Sequence, residues 1–396
     1  MSIRRRKFGA RSGAIAEIPG MRHLTSLLLA LLGLAACRSA DPRLAPALPD
    51  IDASDIVFVG ESHEVRDHQD LERATLEAMQ GRHKLLLGME MFQRPYQQPL
   101  DDYVAGRIDE KEMLRRTEYF SRWAYNYTYY APMWRWCRAH GARVVALNAE
   151  ASVNRKVGRQ GLAALTPEER AQVAAEIDLT NAVHRERVMG MFTGGAHQMP
   201  QDALQKMYEA MTVWDETMAE SAATAFAAAG AGARMIVVAG RGHIEGLTGI
   251  PDRVMRRLPG LRRTVLVADM DDEVETPRTE FEDGQWVCVF PAAEKEPPPK
   301  LGVSFDLTPN ARGMLVQAVV EGGTAAIAGI VEGDLIESLD GEPVRDLTDL
   351  RYVLDTRSVG DLATIGYVRG GESRTVQAVL FAAPAPPAPP AAPPKP

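Results

Sequence analysis

Ile56-Val57-Phe58-Val59-Gly60-Glu61-Ser62-His63 opens the folded part of this chain and decides its fold. Four apolar, mostly β-branched residues run without a polar break and stop at a glycine. That is the pattern of a strand covered on both faces in a parallel sheet, not of one with a wet side. A helix must follow, and Val65 to Met79 supplies it, with Leu71, Ala74, Leu76 and Met79 on one stripe and Gly81 as a stop signal. The pattern recurs. Leu85-Leu86-Leu87 runs into Gly88-Met89-Glu90, Val144-Val145-Ala146-Leu147 into Asn148, Met235-Ile236-Val237-Val238 into Gly240, and Val265-Leu266-Val267 into Asp269. Helical stretches separate them, among them Pro167 to Val188 and Asp202 to Ala229. Buried strands alternating with helices predict an α/β fold with a mostly parallel sheet flanked by helices.

Polar residues fall just past the carboxyl ends of these strands: Glu61 and His63, Glu90, Asn148 with Glu150, and Gly240-Arg241-Gly242-His243. In open α/β sheets ligands bind at that edge, so residues far apart in sequence are expected to share one cleft. Two Gly-x-x-His motifs, Gly60 to His63 and Gly240 to His243, follow two such strands. Two histidines with carboxylates can coordinate a divalent metal ion, or a carboxylate can orient one histidine as a base; Glu61, His63, Glu90 and His243 are the candidates for either role. His68 and His83 lie on or beside a predicted helix and are expected to be solvated. His140 and His184 have no acidic or histidine partner at ligand spacing. Gly-x-Ser-x-Gly, His-Glu-x-x-His and Gly-rich phosphate-loop motifs are missing, which removes the commonest hydrolase and nucleotide-binding alternatives.

The chain has 396 residues, enough for two globular domains, and its net charge of −8 with no basic stripe speaks against nucleic acid as a partner. From Met21 the sequence MRHLTSLLLALLGLAAC has a basic start and an apolar run from Leu27 to Leu34, a secretory signal too short to span a membrane. Leu34-Ala35-Ala36-Cys37 resembles a bacterial lipobox, with Cys37 the lipidated residue. The expected location is therefore the bacterial cell envelope, lipid-anchored, at the outer membrane facing the periplasm. Translation could begin at Met1 or Met21. The expected organisation is a signal peptide over 1–36, a Pro- and Ala-rich tether over 37–54, an α/β domain over 55–293, a linker EKEPPP over 294–299, a small second domain over 300–381, and a Pro/Ala-rich tail over 382–396. Cys137 and Cys288 remain after lipidation; they allow a disulfide or two buried thiols.

The motifs GESH, LGMEMFQR, ALNAE, VWDETMA and VVAGRGHIEGLTGIP, in that order between Asp55 and Asp269, resemble the haem-binding uptake ChaN family, grouped with Tiki, TraB and erythromycin esterase proteins. The resemblance implies haem or iron handling, a tyrosine as iron ligand, and a homodimer formed around the haem. Tiki relatives are metal-dependent proteases using paired Gly-x-x-His motifs, so the same residues allow a metal-dependent hydrolase or peptidase, and both readings stand. Tyr125, Tyr127, Tyr129 and Tyr130 in YFSRWAYNYTYY, flanked or interrupted by Trp123, Trp134 and Trp136, are the candidate haem residues. Met189, Met191, Met199, Met207 and Met211 make a deformable apolar segment, with Gly194 to Pro200 expected as a lid and Met207 and Met211 as core.

Lys300 to Leu380 resembles a PDZ domain of the HtrA type, mostly β, carried by LGVSF, TAAIAGIVEGDLIESLDGEPV and a helix from about Asp346 to Leu354. By that resemblance Leu301, Gly302, Val303 and Ser304 form the carboxylate loop and strand that receive the C-terminus of a peptide or protein partner. Residues near Thr348 to Arg351 then flank the peptide.

Overall fold

The computed structural model describes residues 41–81, 84–193, 200–292, 297–308 and 310–382. The expected signal peptide, Cys37, His83, His197, nearly all of the expected lid and the tail beyond residue 382 lie outside the described residues. Among the described residues no helix is long and apolar enough to cross a membrane.

Seven strands form one sheet: β1 (Ile56–Glu61), β2 (Lys84–Gln93), β3 (Arg143–Asn148), β4 (Ala233–Gly240), β5 (Arg263–Asp271), β6 (Arg278–Glu282) and β7 (Gln285–Pro291). Their spatial order is β3-β2-β4-β1-β5-β7-β6, parallel throughout except for the terminal β6–β7 hairpin. The continuous apolar runs are explained by cover on both faces. Val57 and Val59 point into a core with the helices Arg66–Ala78 and Tyr127–His140. Ile56 and Phe58 point into a second core with Gln201–Ala229 and Ile250–Arg257.

Strand order positions the site. β1 lies between β4 and β5, and its register sets Glu61 opposite Gly240, so the two Gly-x-x-His motifs emerge side by side. β2 flanks β4 on the other side. Its pairing with β4 ends at Met89, and Glu90 follows as the first residue beyond it although β2 itself continues to Gln93.

Three expectations need correcting. From Asp41 the presumed tether is folded: it ends in the helix Leu48–Ala53, and Leu44, Ala47 and Ile51 are wholly buried. Burying the Leu44 and Ile51 side chains contributes about 1.5–3 kcal/mol each toward docking the segment. The stretch from Pro167 to Val188 is not one helix: Pro167–Arg170 is a single turn, and the next helix, Ala182–Thr193, begins after an irregular segment. His68 is not solvated; it is fully buried, and burial lowers its pKa to about 4, leaving it neutral to accept a hydrogen bond from the Ser62 amide. Cys137 and Cys288 are both buried and free.

The second domain is an antiparallel sheet of β8 (Val303–Asp306), β9 (Met314–Val319), β10 (Leu335–Leu339), β12 (Leu362–Arg369) and β13 (Glu372–Val379), with the two-residue β11 (Glu342–Pro343) paired to β10. Its order is β13-β12-β10-β9-β8. Its helix Leu347–Leu354 also packs against the α/β domain. Tyr352 stacks on Tyr127 at 5.2 Å between ring centroids, and Arg115 reaches Asp346 and Asp349 at 2.8 and 2.7 Å. Arg351 donates to the Ala124 carbonyl at 3.1 Å, and Asn126 to that of Asp355 at 3.0 Å.

Candidate functional site

At the carboxyl edge of the sheet two imidazoles are each backed by a buried carboxylate. Glu61, the last residue of β1, accepts from Nδ1 of His63, and its second oxygen takes a hydrogen bond from Gln69 at 2.6 Å. His243, on the short helical turn Arg241–Ile244, contacts Asp215 Oδ1 through Nδ1 at 2.6 Å. Between them stands Glu90: one oxygen accepts from the Gly240 amide at 2.7 Å, and the other lies 3.5 Å from His243 Nε2. Gly240 keeps the approach open: a Cβ there would come within 3.1 Å of His63 Cε1 and press on the imidazole.

Burial opposes a charge on His63, yet the hydrogen bond and charge of Glu61, helped by Glu90, outweigh it and raise its pKa above the ordinary histidine value. For His243 burial is likewise overcome, by the charges of Glu90 and Asp215. Both imidazoles therefore hold a proton more firmly than a free histidine does. His184, lacking so close a partner, is lowered to about 4 by burial; its Nε2 is 3.4 Å from Asp215 Oδ2. Asp215 thus touches two histidines. It corrects the expectation that His184 has no acidic neighbour, and it is the site residue that sequence reasoning missed. Its signal was available: Asp215 and Glu216 interrupt an apolar helical stretch in VWDETMA. Glu216 has a different part, pairing with Arg253, Arg256 and Arg257 to fasten the helix Ile250–Arg257.

Of these groups His63 and Glu90 line a cleft of about 530 Å³ whose walls carry Trp123, Tyr125, Met91, Met207, Met211 and Trp214. Of the four candidate tyrosines only Tyr125 lines it, with its ring 4.8 Å from that of His63. Tyr127 is buried and bonded to the Tyr352 carbonyl, Tyr130 is fully buried, and Tyr129 lies under the Arg66 guanidinium. Met207 and Met211, expected as core, line the cleft instead, because the long helix Gln201–Ala229 turns that face toward the sheet edge. Of the four proposed metal ligands, Glu61, His63, Glu90 and His243 do converge. Among the described residues, however, no group of three or more His, Cys, Asp or Glu is placed to hold a metal ion.

In the second domain β8 is an edge strand, paired among the described residues only with β9. Leu301 is buried, Gly302 carries a positive φ of 73°, and the carbonyls of both are tied back to Ala325 and Val320 at 2.8 Å. Val303 and Ser304 begin the free edge. Of the expected flanking residues, Asp349 and Arg351 are engaged with the α/β domain.

A doubly covered, mostly parallel sheet with paired histidines at its carboxyl edge, joined to a small antiparallel sheet, defines a two-domain class with an α/β unit and a mostly-β unit. Residues 47–254 match the family described as haem-binding uptake, Tiki superfamily, ChaN, and the chain belongs to that family. Residues 299–380 match the PDZ domain. The chain is 28% identical over 245 residues to Protein RETICULATA-RELATED 5, chloroplastic, of Arabidopsis thaliana, covering 57% of this chain and 32% of that protein. It is 39% identical over 69 residues to the periplasmic serine endoprotease DegP of Escherichia coli, 17% of this chain and 15% of that one. The chain thus spans a third or less of the length of these relatives. Among solved structures, one titled as cofacial heme binding to ChaN of Campylobacter jejuni is 14% identical, covers 62% of this chain and 91% of that chain, and has a TM-score of 0.44.

Proposed function

We propose that the cleft binds haem, with Tyr125 as the iron ligand, and that the PDZ domain brings a partner to this haem-handling domain. The observation that carries the reading is the placement of Tyr125: of the four candidates it alone stands in the aromatic and methionine-rich cleft of about 530 Å³. Burial and the charges of Glu64, Glu61 and Glu90 push its phenol up, so Tyr125 holds its proton until a cation compensates. A ferric porphyrin supplies such a cationic centre and accepts a phenolate. Trp123 and Trp214 offer flat faces for stacking.

Titrating haemin into the mature protein is expected to give a saturable Soret shift that Tyr125→Phe weakens about tenfold or more, a loss of about 1.4 kcal/mol, while Tyr129→Phe leaves it intact. The two carboxylate-backed imidazoles favour a second reading, a hydrolase. If haemin gives no saturable change while the purified protein holds zinc or manganese that His63→Ala loses, the hydrolase reading replaces haem binding.

The free edge of β8 supports peptide addition at Leu301 to Ser304. A decapeptide ending in apolar residues is expected to bind at least about tenfold more tightly with a free C-terminal carboxylate than as its amide; equal affinities would refute a carboxylate loop. The lipobox reading of Cys37 adds a membrane anchor to this proposal. Cys37→Ser is expected to move the chain from the membrane to the soluble envelope fraction, and an unchanged distribution counts against lipidation.

A further inference from the structure

The cleft is polarised. Its inner end carries the imidazole of His63 and the deeply buried carboxylate of Glu90. Its outer wall is the helix Ala151–Gln160, which contributes Arg155 and Arg159, both exposed. Four residues apart, these two guanidinium groups share one helix face, where like charges repel. A third cleft arginine, Arg122, is balanced by Glu118 at 2.8 Å and also hydrogen-bonds Gln93. Arg155 and Arg159 have no such counterweight: the described residues offer neither of them a hydrogen bond or an ion pair. Lys156, between them, is turned away to Glu169 at 2.6 Å.

The rings of Trp123 and Trp214 also line the cleft and add aromatic surface beside the arginines. Gly158, between the arginines, leaves the wall open, since a Cβ there would make only ordinary contact with Ala210 at 3.6 Å.

We propose that Arg155 and Arg159 are the anion-recognition pole of the cleft, selecting a flat apolar ligand with two carboxylates on one edge. Guanidinium groups suit this work because each can grip a carboxylate with two parallel hydrogen bonds while lying flat against a ring. The assignment rests on the haem reading and deepens it. Tyr125 and the aromatic walls take the centre and faces of the porphyrin, and the arginine pair takes its propionates and sets its orientation.

Iron-free porphyrins separate this pole from iron ligation. Quenching of tryptophan emission would be titrated with protoporphyrin IX and with its dimethyl ester, for the mature protein, the double variant R155Q/R159Q and the double variant R155K/R159K. The mature protein is expected to bind the diacid about tenfold or more tightly than the diester, a preference that shrinks with salt. R155Q/R159Q should bring the ratio close to one by weakening the diacid far more than the diester, and R155K/R159K should restore part of it. Equal binding of diacid and diester by the mature protein, or an undiminished preference in R155Q/R159Q, overturns the arginine pole and leaves haem binding standing. Failure of both porphyrins to bind overturns the arginine pole as well, while haem binding itself stands or falls on the haemin titration.

Discussion

Asp215→Ala is expected to cost about 3–5 kcal/mol of folding stability, the range found when one member of a buried pair is removed and its partner is left behind. Asp215 is fully buried, its Oδ1 is 2.6 Å from His243 Nδ1, and its Oδ2 faces His184 at 3.4 Å. Without it His243, itself buried, loses the carboxylate that orients its ring and favours its proton. Asp215→Asn keeps shape and hydrogen-bonding capacity but not charge, so it should cost less while still lowering the His243 pKa. Urea unfolding of both variants, with the His243 titration followed by NMR, checks this. A loss below about 1 kcal/mol in Asp215→Ala, within the ordinary range for a point substitution, would show that His243 is held by other groups.

The stability of the wild-type chain should fall, relative to Glu72→Gln, by about 1.4 kcal/mol for every pH unit above the ordinary glutamate range. Glu72 is fully buried on the helix Arg66–Ala78, and neither of its carboxyl oxygens has a hydrogen-bond partner among the described residues. Burial, followed by the charges of Glu61 and Glu90, pushes its pKa well above 4.5. The folded state therefore keeps a proton that the unfolded chain releases above pH 4.5, so the unfolded state binds fewer protons and stability declines as pH rises. The decline begins near the unfolded value and levels off only above the folded one. Glu72→Gln has nothing to release and should lack this component. Parallel stability curves for the two proteins from pH 5 to pH 7 would contradict a neutral Glu72.

The strands of the α/β domain were legible because burial on both faces leaves an unbroken apolar run, as in Ile56 to Val59, and each run ends where a polar cluster begins. The Gly-x-x-His pair was legible for the same reason, each motif sitting at the end of such a run. Residues whose role depends on distant neighbours were not legible. Asp215 lies in mid-helix, and nothing local indicates that it meets His243 and His184, which are brought to it by other segments. The aromatic segment shows the same limit. Tyr125, Tyr127, Tyr129 and Tyr130 are equivalent by composition, and only packing sends one to the cleft, one against Tyr352, one beneath Arg66 and one into the core. Likewise the segment from Asp41 to Ser54 reads as a linker by its prolines and alanines, whereas Leu44 and Ile51 find a groove to fill that only the assembled domain provides.

By itself the sequence determined the α/β class, the PDZ module and the edge of the sheet where the chemistry gathers, because hydrophobic periodicity and turn residues act over a few neighbours. Tertiary structure alone decided that β1 and β4 are adjacent with Glu61 opposite Gly240, which of four tyrosines lines the cleft, and that Arg155 and Arg159 line it too. Strand order and side-chain environment are set by packing between segments far apart in the chain, and no local pattern encodes them.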